Sequence, residues 1–141
     1  MERLPALIVL EATRCEPAHK TFPALEACTQ LRRICVVDVQ LNGFGAGASC
    51  PSVRELELSR LPLLRDLAAP IARFAGLRAL VLEELEMEHL PAALGDLPLH
   101  RLQIRHCRWL RALPKSLARL SALSVLHVVG RPLDRATHAM W

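Results

Sequence analysis

The stretch RHCRW, residues 105–109, sets His106 beside Cys107, the two side-chain types of a thiol nucleophile and its base. That chemistry needs the imidazole in contact with the sulfur, so that the proton can pass between them. Neighbours on an extended chain point to opposite sides, which argues against the pair and makes Cys107 an inward-facing turn residue. A second candidate is GFGAG, residues 43–47, which follows an apolar run as a phosphate loop would. A phosphate loop must open a helix, but Cys50-Pro51 leads straight into another extended run and no Gly-Lys-Ser/Thr follows. These glycines read as a mobile loop within residues 42–52. The acidic run Glu83, Glu84, Glu86 and Glu88 could gather a metal ion, although a solvated rim is the simpler reading.

Five cysteines, Cys15, Cys28, Cys35, Cys50 and Cys107, form an odd set with irregular gaps and no C-x-x-C pair. Free, mostly buried thiols in a reducing, cytoplasmic compartment follow from that usage, and a zinc site does not. No cofactor is called for, and no catalytic set assembles, so the chain reads as a non-enzyme.

What organises these residues is a recurring spacing, L-x-x-L-x-x-L-x-L-x-x-(N/C/L). It fits as Leu4, Leu7, Leu10, Ala12, Cys15, and as Leu31, Ile34, Val37, Val39, Asn42. Val53, Leu56, Leu58 and Leu61 repeat it without a first position, and Phe74, Leu77, Leu80, Leu82, Leu85 complete it. Leu99, Leu102, Ile104, Cys107 follow, and then Leu120, Leu123, Leu126, Val128, with Gly130 closing the set. The implied strand centres lie near residues 10, 37, 56, 80, 102 and 126, at intervals of about 19 to 27 residues. Between them runs a second motif, LPAALGDL from Leu90 and LPKSLARL from Leu113, more loosely FPALEACTQL from Phe22 and LAAPIARF from Leu67.

Alternate residues of an extended triplet face opposite ways, so Leu80 and Leu82 turn inward while Val81 turns out. One repeat cannot bury its leucines alone, so neighbours must stack in parallel around a continuous core. Proline in L-P-x-x-L suits the entry to a short helix or 3-10 turn on the far side, where its missing N–H is harmless. Leucine cannot bond a backbone amide as Asn or Cys can, so irregular turns are expected after Leu61 and Leu85. A compact α/β domain with a longer amphipathic helix over PLLRDLAAPIARF is the competing fold.

The six in-phase matches resemble the leucine-rich repeat family over essentially the whole chain, with LQIRHCRWLRALPKSLARLSALSVLHV the best match. The subtype is similar to the repeats of plant intracellular immune receptors and of effectors injected by plant-pathogenic bacteria. The resemblance implies one α/β solenoid over residues 1–141. About six short parallel strands would line the concave face of an arc, with 3-10 turns, short helices and loops on the convex face. It also implies a protein-binding module, such as a bacterial effector translocated into the host cytoplasm. Alternatives are the substrate-recognition repeats of an effector E3 ubiquitin ligase whose catalytic domain lies elsewhere, or a plant immune-receptor fragment.

On such a face one residue per strand points outward. That row reads Glu11, Asp38, Glu57, Val81, Gln103, His127, flanked by Glu55, Arg60, Glu83, Glu84, Arg101, Arg105 and His106. It runs from acidic through neutral to basic, a charge order that would set register and on-rate for a protein partner. The whole chain is graded in the same sense. Residues 1–100 carry 10 basic and 13 acidic side chains, and residues 101–141 carry 8 and 1. Arg108, Arg111, Lys115 and Arg119 invite a nucleic-acid reading, but Trp109 is their only interleaved aromatic and the chain has no Tyr, so no nucleic-acid partner is expected. No apolar run reaches the ~18 residues of a membrane helix, and no membrane partner is expected. The first strand begins too near Met1 to leave room for a polar cap, and RPLDRATHAMW makes only a thin lid. A fragment of a longer chain, or a monomer that pairs weakly end to end, would account for both ends.

Overall fold

Each apolar-x-apolar triplet becomes the centre of a five-residue strand. A computed structural model describes residues 7–15, 29–41 and 50–130. The strands are β1 (Val9–Thr13), β2 (Arg33–Val37), β3 (Glu55–Ser59), β4 (Ala79–Glu83), β5 (Arg101–Arg105) and β6 (Val125–Val129). They form one parallel sheet in sequence order, open, with β1 and β6 at its edges. This is an α/β architecture in which every strand pairs only with its neighbours in the chain. The described part of residues 1–141 thus contributes to a single sheet.

The register brings like positions into columns. Leu10, Ile34, Leu56, Leu80, Leu102 and Leu126 line up, as do Ala12, Val36, Leu58, Leu82, Ile104 and Val128. In β2 to β5 these side chains are at most 2% exposed, while those of β1 and β6 are partly buried. Leu31, Val53, Leu77 and Leu99 make a third column three residues earlier, all at 0%. Fully burying such a side chain contributes about 1.5–3 kcal/mol.

These columns correct the second match. The run RICVVDVQL is apolar at 34, 35, 36, 37 and 39, so two phases of a period-two strand fit it. Pairing decides: Ile34 and Val36 face the core, Val37 is outward and half-buried, and Asp38 lies beyond the strand. The strand centre near 37 moves to Cys35. The turn position expected at Asn42 falls to Val39, 2% exposed. The third repeat does not lack its first position, because buried Cys50 occupies it, three residues before Val53 as Phe74 is before Leu77.

The chain leaves each strand in the same way. Arg14, Asp38, Arg60, Glu84 and His106 all take left-handed backbone, with φ of 50–56°, and Gly130 ends the series at 119°. These six positions are 24, 22, 24, 22 and 24 residues apart. The interval that contains residues 42–52, from Asp38 to Arg60, is 22 residues, the same as that from Glu84 to His106. The amides of the first five donate to the carbonyl oxygens of Val37, Ser59, Glu83, Arg105 and Val129 at 2.7–3.0 Å. The ladder thus runs one residue past each strand, which offsets a left-handed cost of about 1–2 kcal/mol per residue. These positions precede Leu61 and Leu85; in the turn that follows Leu61, the amide of Leu64 donates to the Leu61 carbonyl at 3.1 Å.

On the far side, helix α1 (Ala68–Arg73) is the helical part of the PLLRDLAAPIARF segment. Two 3-10 helices, Ala92–Asp96 and Lys115–Arg119, grow from the two L-P motifs. Pro91 (φ −68°) and Pro114 (φ −65°) precede them, which matches proline's fixed φ. Leu94 and Leu117 face inward, and His89 bridges Ala112 in parallel just before the prolines. The loose motif from Phe22, the glycines 43–47, Leu4, Cys28, Met140 and Trp141 lie outside the described residues. No helix among the described residues is long and apolar enough to cross a membrane.

Candidate functional site

One side chain per strand stands at the centre of the sheet's outer face. The register makes that row Glu11, Cys35, Glu57, Val81, Gln103 and His127. Five of these were legible from spacing, and Cys35 takes the place expected for Asp38. Beside the row, Arg33, Glu55, Ala79 and Arg101 align toward the strand starts, and Ser59, Glu83 and Arg105 toward the strand ends. Between β2 and β5 the face opens into a recess of about 250 Å³ lined by Arg33, Glu55, Glu57, Val81 and Arg101.

Arg33 neutralises much of the acidic half. Its Nε lies 3.7 Å from Glu55 Oε2, and its Nη2 lies 3.6 Å from Glu57 Oε2. Asp38, displaced to the rim, is held between Arg14 (3.5 Å) and Arg60 (3.1 Å). At the other end, Arg101 and Arg105 have no ion pair among the described residues. Arg105 Nη2 instead donates to Gln103 Oε1 at 2.6 Å. Glu83 is the register neighbour of Arg105 and faces the same side. The grading from Glu11 to His127 survives, but its acidic end is tied down while its basic end is available.

Every one of the seven ion pairs among the described residues joins positions 21–24 apart, one repeat to the next. Exposed pairs of this kind contribute about 0–1 kcal/mol each. They disperse the acidic run: Glu86 pairs with Arg65 at 2.9 Å and Glu88 with Arg111 at 3.7 Å, while Glu84 sits in a turn. Among the described residues, no three His, Cys, Asp or Glu side chains are grouped to hold a metal. The basic set is dispersed too, since Arg111 pairs with Glu88 and Arg119 with Asp96.

His106 and Cys107 do part company. His106 is exposed and lines a recess of about 470 Å³ with Glu84, Glu86 and Arg108. Cys107 is 8% exposed, its sulfur 3.6 Å from the carbonyl oxygen of Arg105. Burial pushes its thiol above the ordinary range, away from the thiolate a nucleophile needs.

No family model, curated protein or solved structure matches this chain.

The thiols differ in place. Cys15 is exposed, Cys35 half-buried, and Cys50 and Cys107 buried. Burial raises the Cys35 thiol, and Glu57 raises it further, as a nearby carboxylate and as the acceptor of the thiol hydrogen bond at 3.6 Å; Arg33 opposes them. In Glu57→Gln the negative neighbour is gone, so the Cys35 pKa falls and the thiolate fraction at a given pH rises. Iodoacetamide at pH 8, followed by peptide mass mapping, is expected to label Cys35 faster in this variant, with Cys15 unchanged as the internal standard. An unchanged or slower rate would show that Glu57 does not act on this sulfur.

Proposed function

We propose that the chain is a leucine-rich repeat module that binds a partner protein on the outer face of its sheet, with no chemistry of its own. In this reading the parallel ladder is a solenoid whose strands line the concave side of an arc. The observation that carries the proposal is the register itself. Six consecutive strands each direct two apolar side chains inward and one side chain outward at the same level. The result is a continuous surface built from many sequence-distant residues. Surfaces of this type are read by partners through shape and charge order.

The reading is tested on the row. Glu57→Arg places a second cation beside Arg33, and Arg105→Glu reverses the available basic end. With a photo-crosslinking residue at Val81, capture of partner from host-cell extract is expected to fall several-fold in each variant. Melting temperatures should change little, because both side chains are outward. Undiminished capture in both variants would remove the outer face as the site.

A further inference from the structure

The two ends of the strands carry different charge patterns. At the C-terminal ends the turn residues Arg14, Asp38, Arg60 and Glu84 alternate in sign, and Asp38 pairs with both arginines beside it. At the N-terminal ends the residue immediately before each strand's first outward position is Arg32, Arg54, Arg78 or His100 in β2 to β5. The amide of Arg54 donates to the carbonyl of Arg32 at 2.8 Å, that of Arg78 to Arg54 at 2.8 Å, and that of His100 to Arg78 at 2.7 Å. The four are therefore lateral neighbours, at the roughly 4.8 Å step of adjacent strands. Arg33 and Arg101 stand next to them at the first outward positions.

Among the described residues, Glu55 is the acidic residue at this rim, and Arg33 engages it. Arg32, Arg54, Arg78 and Arg101 have no ion pair among the described residues. Arg32, Arg78, His100 and Arg101 are exposed. Arg54 is held in place, its Nη1 donating to the backbone carbonyls of Pro51 and Gly76. Unrelieved like charge at roughly 4.8 Å spacing is unfavourable unless something negative answers it. Alternation on the opposite rim shows the arrangement that relieves it.

We propose that this rim, Arg32–Arg54–Arg78–His100, binds an acidic helix of a partner protein. Carboxylates three and four residues apart on one helix face recur at about 5–6 Å, close to the step of the arginine column. Arginine's planar fork suits carboxylates in this role. Among the described residues, no exposed aromatic side chain on which a base could stack occurs in the column or beside it. Trp109, the exposed aromatic among the described residues, follows β5 at the opposite end of the strands. The inference rests on the protein-binding reading but uses other residues than the outer row.

The probe is a labelled 16-residue Ala/Gln peptide with glutamates every three or four positions on one face, together with its all-glutamine counterpart. At low salt the glutamate peptide is expected to bind the wild-type chain by fluorescence anisotropy and the glutamine peptide is not. Arg32→Gln/Arg78→Gln should weaken binding about tenfold and flatten its salt dependence. Arg111→Gln/Arg119→Gln, which removes the same charge away from the rim, should change it less than about twofold. Equal losses in the two double variants, or no loss at the rim, would overturn the proposal. So would tighter binding of a single-stranded oligothymidine that is lost with the rim arginines. Partner capture by the Glu57→Arg and Arg105→Glu proteins is read separately, so failure at the rim leaves the protein-binding reading standing.

Discussion

Leu80→Ala should destabilise the chain by about 2–5 kcal/mol, and Leu126→Ala by no more than about 2 kcal/mol. The chemistry of the two substitutions is the same. Leu80 is 0% exposed in β4, with Leu56 and Leu102 as its register neighbours on either side. Both flanking strands are pinned by their own ladders, so the void left by the isobutyl group cannot collapse, and a cavity cost adds to the lost transfer energy. Leu126 stands in the same column on edge strand β6, where it is only partly buried and already meets solvent. Urea unfolding followed by circular dichroism reads both variants. Equal losses would mean that lateral burial is not what holds the sheet together.

Gly95→Ala should cost about 1–3 kcal/mol, although alanine is the better helix former by about 1 kcal/mol. The two effects oppose each other, and geometry decides between them. Gly95 lies buried in the first 3-10 helix and faces the second one. A Cβ placed on it would sit 2.6 Å from Ser116 Cβ and 2.7 Å from the Ser116 carbonyl carbon, overlapping the carbonyl oxygen as well. The obstacle is backbone, which cannot rotate away as a flexible side-chain tip would, so the two 3-10 helices must separate. Hydrogen exchange should show residues 92–119 opening first, with β2 and β3 protected. Ala93→Gln, exposed on the same helix, should stay within about 0.5 kcal/mol of wild type. A Gly95→Ala protein as stable as wild type would show that the far-side layers are not in backbone contact there.

Both expectations rest on different amounts of information from the chain. The leucine spacing alone determined that Leu56/Leu58, Leu80/Leu82 and Leu102/Ile104 would face inward from short strands. An apolar residue at every second position leaves a strand one face to bury. It also placed the far-side turns, because Pro91 and Pro114 can only begin such elements, and it separated His106 from Cys107. Where the pattern was degenerate, spacing could not choose. In RICVVDVQL either phase satisfies a single strand, and only the neighbours Glu11 and Glu57 put Cys35, not Asp38, between them. Cys50 was not legible in its column because cysteine, a small side chain with a weak S–H donor, marks a core position less clearly than Leu or Phe, although its spacing to Val53 is that of Phe74 to Leu77. The arginine rim had a signal too, Leu31-Arg32, Val53-Arg54, Leu77-Arg78 and Leu99-His100, but a linear reading gives those charges no common location.

What only the tertiary structure decided is which charges answer one another. Ion pairs here reach from one repeat to the next, across 21–24 residues, and depend on lateral register. Apolar burial is a property of each strand's own period and survives in one dimension. Electrostatic pairing depends on distances between strands, and those exist only once the sheet has formed.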